Sequence, residues 1–381
     1  MAWLGVLPCF IVIVIILYDA FETLLLPRRV ARSIRFTRLF YRASWKYWTR
    51  LANNSGSQKR RFFVLSIFGP LSLPVLFSCW AGGLIVGFAG LHASLQTPMT
   101  NLNESQSLLD YLYFSGVTFF TLGFGDIAPT GTVGRALAVF EAGLGFGVLA
   151  VVIGYLPVMY QAFSKREGTI SVLDARAGSP PTASEFLSRL GPLSEGDHLR
   201  AYFQTWEVWS AELLESHVSF PVLPFFRSQH DNQSWLAALA MILDTSALAI
   251  AGLPKCCPYQ ARLTFAMARH AVVDIAQIFR QTRRPSDHDR LPDEQLRLLC
   301  EHLGAAGVEV ERPEVFSGAL RELRELYEPF LDALSIYLQF SLPPFQPVDF
   351  PVDNWQTSAW MRRAGGFGDL AKVQPGDDHE D

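Results

Sequence analysis

The stretch Ser115-Gly116-Val117-Thr118-Phe119-Phe120-Thr121-Leu122-Gly123-Phe124-Gly125-Asp126 decides how the rest of this 381-residue chain is read. Near its end two glycines, Gly123 and Gly125, alternate with the bulky apolar Leu122 and Phe124. Glycine adopts left-handed backbone at little steric cost, so this alternation lets successive carbonyls point the same way. An aromatic-rich run, residues 108–120, leads into it. That run is too short to cross a bilayer, which takes about 20 apolar residues, but long enough for a half-helix that enters and turns back. Non-helical backbone at such depth is tolerated only where it is buried in protein or lines a watery path.

Long apolar runs lie on both sides. Residues 1–18 carry no charged side chain, and the run resumes past Asp19 and Glu22 as far as Leu26. A membrane helix is expected here. A signal peptide fits poorly, because there is neither a basic n-region nor a small-x-small cleavage site before the arginine cluster. Asp19 and Glu22 would sit near one end, within reach of water and of Arg28 or Arg29. Residues 62–91 contain no charge at all, and Pro70 and Pro74 would kink the first half of a single tilted helix. Gly82, Gly83, Gly87 and Gly90 have small-residue spacings suited to close helix contact. The third run, residues 133–163, has Arg135 near its start and Lys165-Arg166 just past its end.

Charge sets the orientation. Eleven Lys or Arg and no acidic residue lie between Pro27 and Arg61. Short basic loops stay cytoplasmic. This stretch therefore reads as an inside loop flanking the membrane, with the N-terminus and the 92–132 hairpin outside and everything after residue 163 inside. Residues 1–163 hold six carboxylates, whereas 30 acidic and 20 basic residues follow Phe163. That acidic balance argues against nucleic-acid binding by the second half. The five cysteines (Cys9, Cys79, Cys256, Cys257, Cys300) have neither disulfide nor zinc spacing.

The second half reads as helical over residues 199–220, 234–251, 258–283, 292–303 and 313–342, from apolar residues at helical spacing. Short strand signals occur only near residues 169–173 and 308–310. The expected division is an N-terminal membrane helix and basic loop (1–61), a pore module (62–163), a helical cytoplasmic domain (164–362) and a disordered acidic tail (363–381).

The central motif resembles the filter of the potassium-channel family, the bacterial type with two pore helices and one pore loop per subunit. The likeness runs over roughly residues 60–163. Besides Thr121-Leu122-Gly123-Phe124-Gly125-Asp126 it includes Pro129, then Gly134-Arg135 at a helix start, then Gly145 at the place of a mid-helix hinge. The resemblance implies an all-α membrane protein: a helix–pore helix–filter–helix module with one extra N-terminal membrane helix and a mainly α-helical cytoplasmic domain. It implies a homotetramer in the cytoplasmic or plasma membrane, since one loop supplies a quarter of each oxygen ring. The ion would be K+, the permeant species, held at Thr121, Leu122, Gly123 and Phe124, with Gly125 completing the filter. No enzyme activity and no organic cofactor are expected.

Several residues are assigned supporting roles. Tyr113 and Asp126 would hydrogen-bond behind the filter, as the corresponding pair does in relatives. Filters with Tyr at the place of Phe124 usually hold its hydroxyl through a Trp ten residues earlier; here Phe124 and Phe114 would pack apolar against apolar. Some bacterial members carry a Glu where this chain has Val117, and the carboxylate here is Glu141, inside the last membrane helix. An ionisable group at that depth is functional by default; the plainer reading is a structural hydrogen bond to the pore helix through Thr118. Gly145 and Pro157 are the expected gating positions. His217 and His230 flank an aromatic stretch, where core or surface packing is a simpler reading than a sensor. No Gly-x-Gly-x-x-Gly turn follows residue 163, so any regulatory ligand of the cytoplasmic domain is unidentified. The competing readings are a cation channel of relaxed selectivity and a membrane-anchored signalling protein.

Overall fold

A computed structural model describes residues 3–26, 35–100, 107–192, 197–228, 233–253, 257–281, 289–310 and 313–346. The expected acidic tail, His230, Arg28 and Arg29 lie outside the described residues. Among the described residues, twelve α-helices account for most of the chain and the only β-like contact is an isolated bridge between Met99 and Pro129. The short strands expected near residues 169–173 and 308–310 do not form. The first lies inside a continuous helix, where the backbone hydrogen bonds are already satisfied locally.

The chain forms two compact units. The first comprises Met1–Ala162 with Ser219–Phe226, and the second Phe163–Val218 with the described residues from Arg227 onward. In the first unit, α1 (Trp3–Leu24) and α3 (Gln58–Ser94) are the charge-poor runs, each an unbroken helix. They run antiparallel, because α3 glycines receive α1 side chains in reverse order. A Cβ at Gly90 would meet Cys9 Sγ at 2.5 Å, one at Gly87 would meet Ile13 at 2.6 Å, and one at Gly83 would meet Ile16 at 2.4 Å.

The basic stretch is not a loop throughout. Residues Phe36–Asn53 form α2, with Tyr41 and Trp45 four residues apart on its buried face. Trp45 packs edge-on against Phe68 of α3 at 4.8 Å, and both rings meet Phe225 of a single 3-10 turn, Leu223–Phe225. Asp19 and Glu22 are buried rather than bathed in water. Asp19 accepts from the Thr37 hydroxyl at 2.5 Å, the Thr37 amide at 3.1 Å and Trp80 Nε1 at 3.1 Å, which ties three helices at one point. Glu22 pairs with Arg35 at 3.3 Å.

After α3 comes α4 (Leu108–Phe119), then α5 (Thr132–Ala177), a 46-residue helix that continues well past the end of its apolar part. The second unit gathers α6 (Ala183–Leu190), α7 (Asp197–Ser219), α8 (Trp235–Gly252), α9 (Pro258–Ile278), α10 (Asp293–Ala305), α11 (Pro313–Glu325) and α12 (Glu328–Leu338). The single helix expected over 313–342 is two, broken at Leu326-Tyr327 just before Pro329, whose ring suits the first turn of a new helix. Almost all of α8 is buried. Its one charge, Asp244, accepts from Arg290 Nη2 and from Tyr327 Oη, each at 2.7 Å.

Four described helices are long and apolar enough to cross a membrane: Gly5–Leu24, Gln58–Ser94, Thr132–Leu173 and Trp235–Gly252. The fourth differs from the others in being 89% buried, so its apolar surface is already covered by protein. The chain is an all-helical integral membrane protein.

Candidate pore and its supports

The pore helix starts from a reciprocal cap. Ser107 Oγ accepts from the Asp110 amide at 3.3 Å, while Asp110 Oδ2 accepts from the Ser107 amide at 2.9 Å. Both exchanges satisfy donors that a helix start otherwise leaves unpaired. The helix spans 12 residues, about 18 Å, roughly half of a bilayer crossing. Its end is tied down by the amides of Phe120, Thr121 and Leu122, which donate to Gly116, Thr118 and Val117 at 2.9–3.1 Å.

From there the backbone alternates. Positive φ values occur at Thr121 (55°), Gly123 (61°) and Gly125 (77°). The two glycines take this conformation freely, but Thr121 does so against the usual preference of a β-branched residue. The strain at Thr121 has no sequence signal of its own. A Cβ at Gly123 or Gly125 would meet nothing within 4 Å, so it is the backbone conformation, and not crowding, that calls for glycine. Leu122 and Phe124 are exposed in the single chain.

Tyr113 and Asp126 come together as expected, with Tyr113 Oη donating to Asp126 Oδ2 at 2.8 Å. Phe114 and Phe124 do not pair within the chain. Phe114 is buried edge-on against His92 at 5.2 Å, and Phe124 has no ring contact among the described residues. The loop beyond the filter is fixed by Thr130 N to Pro98 O at 2.9 Å and Thr100 N to Ala128 O at 2.8 Å. A Cβ at Gly134 would come within 2.2 Å of Thr97, so the start of α5 approaches this loop closely.

Glu141 is fully buried, but its neighbours are not those expected. Thr118 makes no bond to it. Instead His92 Nε2 lies 3.8 Å from Glu141 Oε2, and the buried Ser115 of α4 completes the group. His92, 49 positions earlier in the chain, was not among the residues singled out from the sequence; a histidine at the polar end of an apolar run was the available signal.

Gly145 is held by packing. A Cβ there would lie 2.0 Å from the Phe119 carbonyl oxygen, so α5 passes the end of α4 where only a glycine fits. Gly143, Gly147 and Gly154 would meet nothing. Pro157 is within α5 and exposed.

No group of three or more metal-ligating side chains occurs among the described residues. In the second unit, His217 is buried beside Trp235 at 4.7 Å, with Nδ1 bonded to Leu213 O at 2.7 Å. Burial, reinforced by the nearby Arg166 guanidinium, holds its pKa well below the usual imidazole value. Trp206 and Trp209 are core residues of α7.

A family profile described as "Ion channel" matches residues 74–162, from Pro74 in α3 through the filter to α5. This chain carries an ion channel domain. Among curated proteins, "Protein LctB" of Geobacillus stearothermophilus is 37% identical over 84 residues, covering 19% of this chain and 62% of its own length. "Protein LctB" of Bacillus caldotenax is 38% identical over 84 residues with the same coverage. "Uncharacterized membrane protein YdjJ" of Bacillus subtilis is 25% identical over 209 residues, 50% of this chain and 56% of that protein. The chain thus spans little more than half the length of the curated relatives it matches. No solved structure matches. The matched region takes in α4, the Thr121–Asp126 segment and the helices that hold them, and leaves α1, α2 and the whole of the second unit outside.

Proposed function

We propose that the protein is one subunit of a homotetrameric, potassium-selective channel that conducts passively through a filter formed by Thr121, Leu122, Gly123, Phe124 and Gly125. The observation that carries this reading is the alternation of positive φ at Thr121, Gly123 and Gly125 directly after a capped half-helix. Backbone of alternating hand presents its carbonyls to one side, and four such strands around an axis replace the hydration shell of K+. Thr121 adds a hydroxyl ring below them. Tyr113, Asp126, Phe114, Thr118 and Glu141 support the filter from behind, Phe114 through the α3–α4 contact and Thr118 through its carbonyl bond to the Thr121 amide.

Assembly is supported by what the single chain leaves open. Val139, Phe146, Ile153 and Tyr160 recur every seven residues on α5, and all are exposed. Residues seven apart lie near one another on a helix face, which suits contact with a second copy or with the conduction path. Gating would come from α5, bending at Pro157; Gly145 acts as a contact with the pore helix that must slide or hold. The second unit is the cytoplasmic regulator, with the N-terminus of the chain on the opposite side of the bilayer. Its ligand is unidentified.

The test is reconstitution of the purified chain into vesicles, with reversal potentials measured in opposed K+ and Na+ gradients. A reversal potential near the K+ equilibrium value is expected. Equal permeability to both ions would leave a cation channel of relaxed selectivity, and no flux of either would overturn the reading.

A further inference from the structure

Helix α3 is longer than a membrane crossing needs. Its 37 residues measure about 55 Å, against a hydrocarbon core of about 30 Å. Its contacts with α1 run from Gly5 at Ser94 to Asp19 at Trp80. The apolar stretch before them, with Leu65 and Phe68 buried, is sheathed by other elements. One is α2: Tyr41 and Trp45 meet Phe68, and Trp48 Nε1 donates to Val64 O at 2.6 Å.

The other cover comes from far along the chain. Ser219–Phe226 packs as part of the first unit, although Val218 before it and Arg227 after it belong to the second. Val222, Leu223, Phe225 and Phe226 are buried. Phe225 stacks on Tyr41 at 5.8 Å and meets Trp45 at 5.0 Å and Phe68 at 5.2 Å. Phe226 lies on α3 at Gly69, where a Cβ would come within 2.7 Å of its ring, and meets Tyr160 of α5 edge-on at 6.0 Å. Phe220 meets Tyr155 of α5 edge-on at 5.4 Å.

The two contacts on α5 bracket Pro157. Proline has no N–H to donate to the carbonyl four residues back, so the helix bends most easily there. Edge-on ring pairs at these distances are favourable beyond the area they bury. The other face of the same stretch carries Ile153 and Val158, 70% and 53% exposed. With its outer face released, α5 would bend so as to bury them against the other copies around the path.

We propose that the Ser219–Phe226 turn is a strut for α5, with Phe220 and Phe226 as positioning residues. It holds the helix on both sides of Pro157 against α2 and α3, and so keeps its cytoplasmic end drawn back from the conduction path. This rests on the channel reading above and gives its gating step a handle. Because the chain enters and leaves the strut through the second unit, a pull on either flank reaches α5.

The experiment is potassium flux through the reconstituted full chain, with hydrogen exchange measured on the same vesicles. Phe226→Ala and Phe220→Ala should each lower flux about fivefold or more, as a ring that held α5 is lost. Gly69→Ala should lower it too, because its methyl drives Phe226 off α3. In the Phe226→Ala background the same methyl meets no ring and should add little, a coupling that general loss of stability does not produce. Equal or raised flux in Phe226→Ala and Gly69→Ala, or fully additive effects, overturns the proposal. Gly69→Ala leaves both rings intact and decides the matter if Phe226→Ala does not fold. Exchange separates the strut from conduction. Amides over residues 154–162 should exchange about tenfold faster in the variants while those of the buried α8 stay as in wild type. If no protein conducts but exchange there quickens, the strut holds and the channel reading fails. Unchanged exchange at 154–162 sinks the strut whether or not the chain conducts.

Discussion

The apolar part of α5 and the whole of α8 look alike as sequences, each a long run interrupted by a single carboxylate, Glu141 in one and Asp244 in the other. Their surroundings are opposite. Asp244 is saturated: Arg290 reaches both of its oxygens, at 2.7 and 3.3 Å, Tyr327 donates at 2.7 Å, and Arg290 is itself shared with Glu328. Phe345 stacks on the Arg290 guanidinium at 5.0 Å, which covers the far side of the cation. Glu141 faces only an imidazole, at 3.8 Å, and the buried Ser115 hydroxyl, with no arginine or lysine beside it. A buried charge with every lone pair met is architecture. A buried carboxyl with only an imidazole and a hydroxyl for neighbours is less firmly tied. The same contrast holds for their apolar surfaces, since 89% of α8 but only 11% of the α5 span is covered by the chain itself.

The largest effect that would test this contrast is at Arg290. Arg290→Met leaves Asp244 buried without its cation, and the second unit should lose about 3–5 kcal/mol of unfolding free energy in a denaturant titration of the full chain. A loss below about 1 kcal/mol would mean that Asp244 is no better satisfied than Glu141, and the contrast would fail.

A smaller effect is expected at Gly145. Gly145→Ala drives a methyl to 2.0 Å from the Phe119 carbonyl, so the pore helix or α5 must shift, at about 1–3 kcal/mol. Gly147→Ala, with nothing within 4 Å, should be neutral or stabilise by up to about 1 kcal/mol. Equal melting temperatures for the two variants would show that the α4–α5 contact is loose.

The smallest effect concerns pH in the second unit. His217 is held neutral in the folded chain by burial, with Arg166 adding to it, whereas the unfolded chain binds a proton near the usual imidazole value. Unfolding therefore takes up a proton in acid. The stability contribution is complete above about pH 6.5 and is lost as pH falls below it, by up to about 1.4 kcal/mol per pH unit. His217→Phe should flatten the unfolding free energy between pH 7 and pH 5. A slope that survives the substitution would move its origin to another group.

Much of the first unit could be read from the sequence because its signals are local. Long apolar runs marked α1, α3 and α5, and the spacing of Gly123 and Gly125 foretold left-handed backbone at both. The unforeseen features depend on residues far apart in the chain. In α2 the buried face of Tyr41 and Trp45 was hidden among the arginines, because its partners, Phe68 and Phe225, lie 27 and 184 positions beyond Tyr41. The break between α11 and α12 falls where Tyr327 turns inward to reach Asp244, and nothing near Tyr327 announces that acceptor. For Glu141 a bond to the pore helix through Thr118 was one of two readings; the residue of that helix beside it is Ser115, and its other neighbour, His92, comes from α3. Proximity in sequence proved a poor guide wherever a polar side chain chose its partner in the core.

The glycine furrow of α3 has a consequence for the bilayer. Because Ile16, Ile13 and Cys9 fill it, acyl chains meet the first helix along that flank and never the bare backbone beneath. The same helix is tied through Asp19 to Thr37 of α2 and to Trp80 of α3. The first helix thus serves as the lining of that furrow, coupled to its neighbours at Asp19.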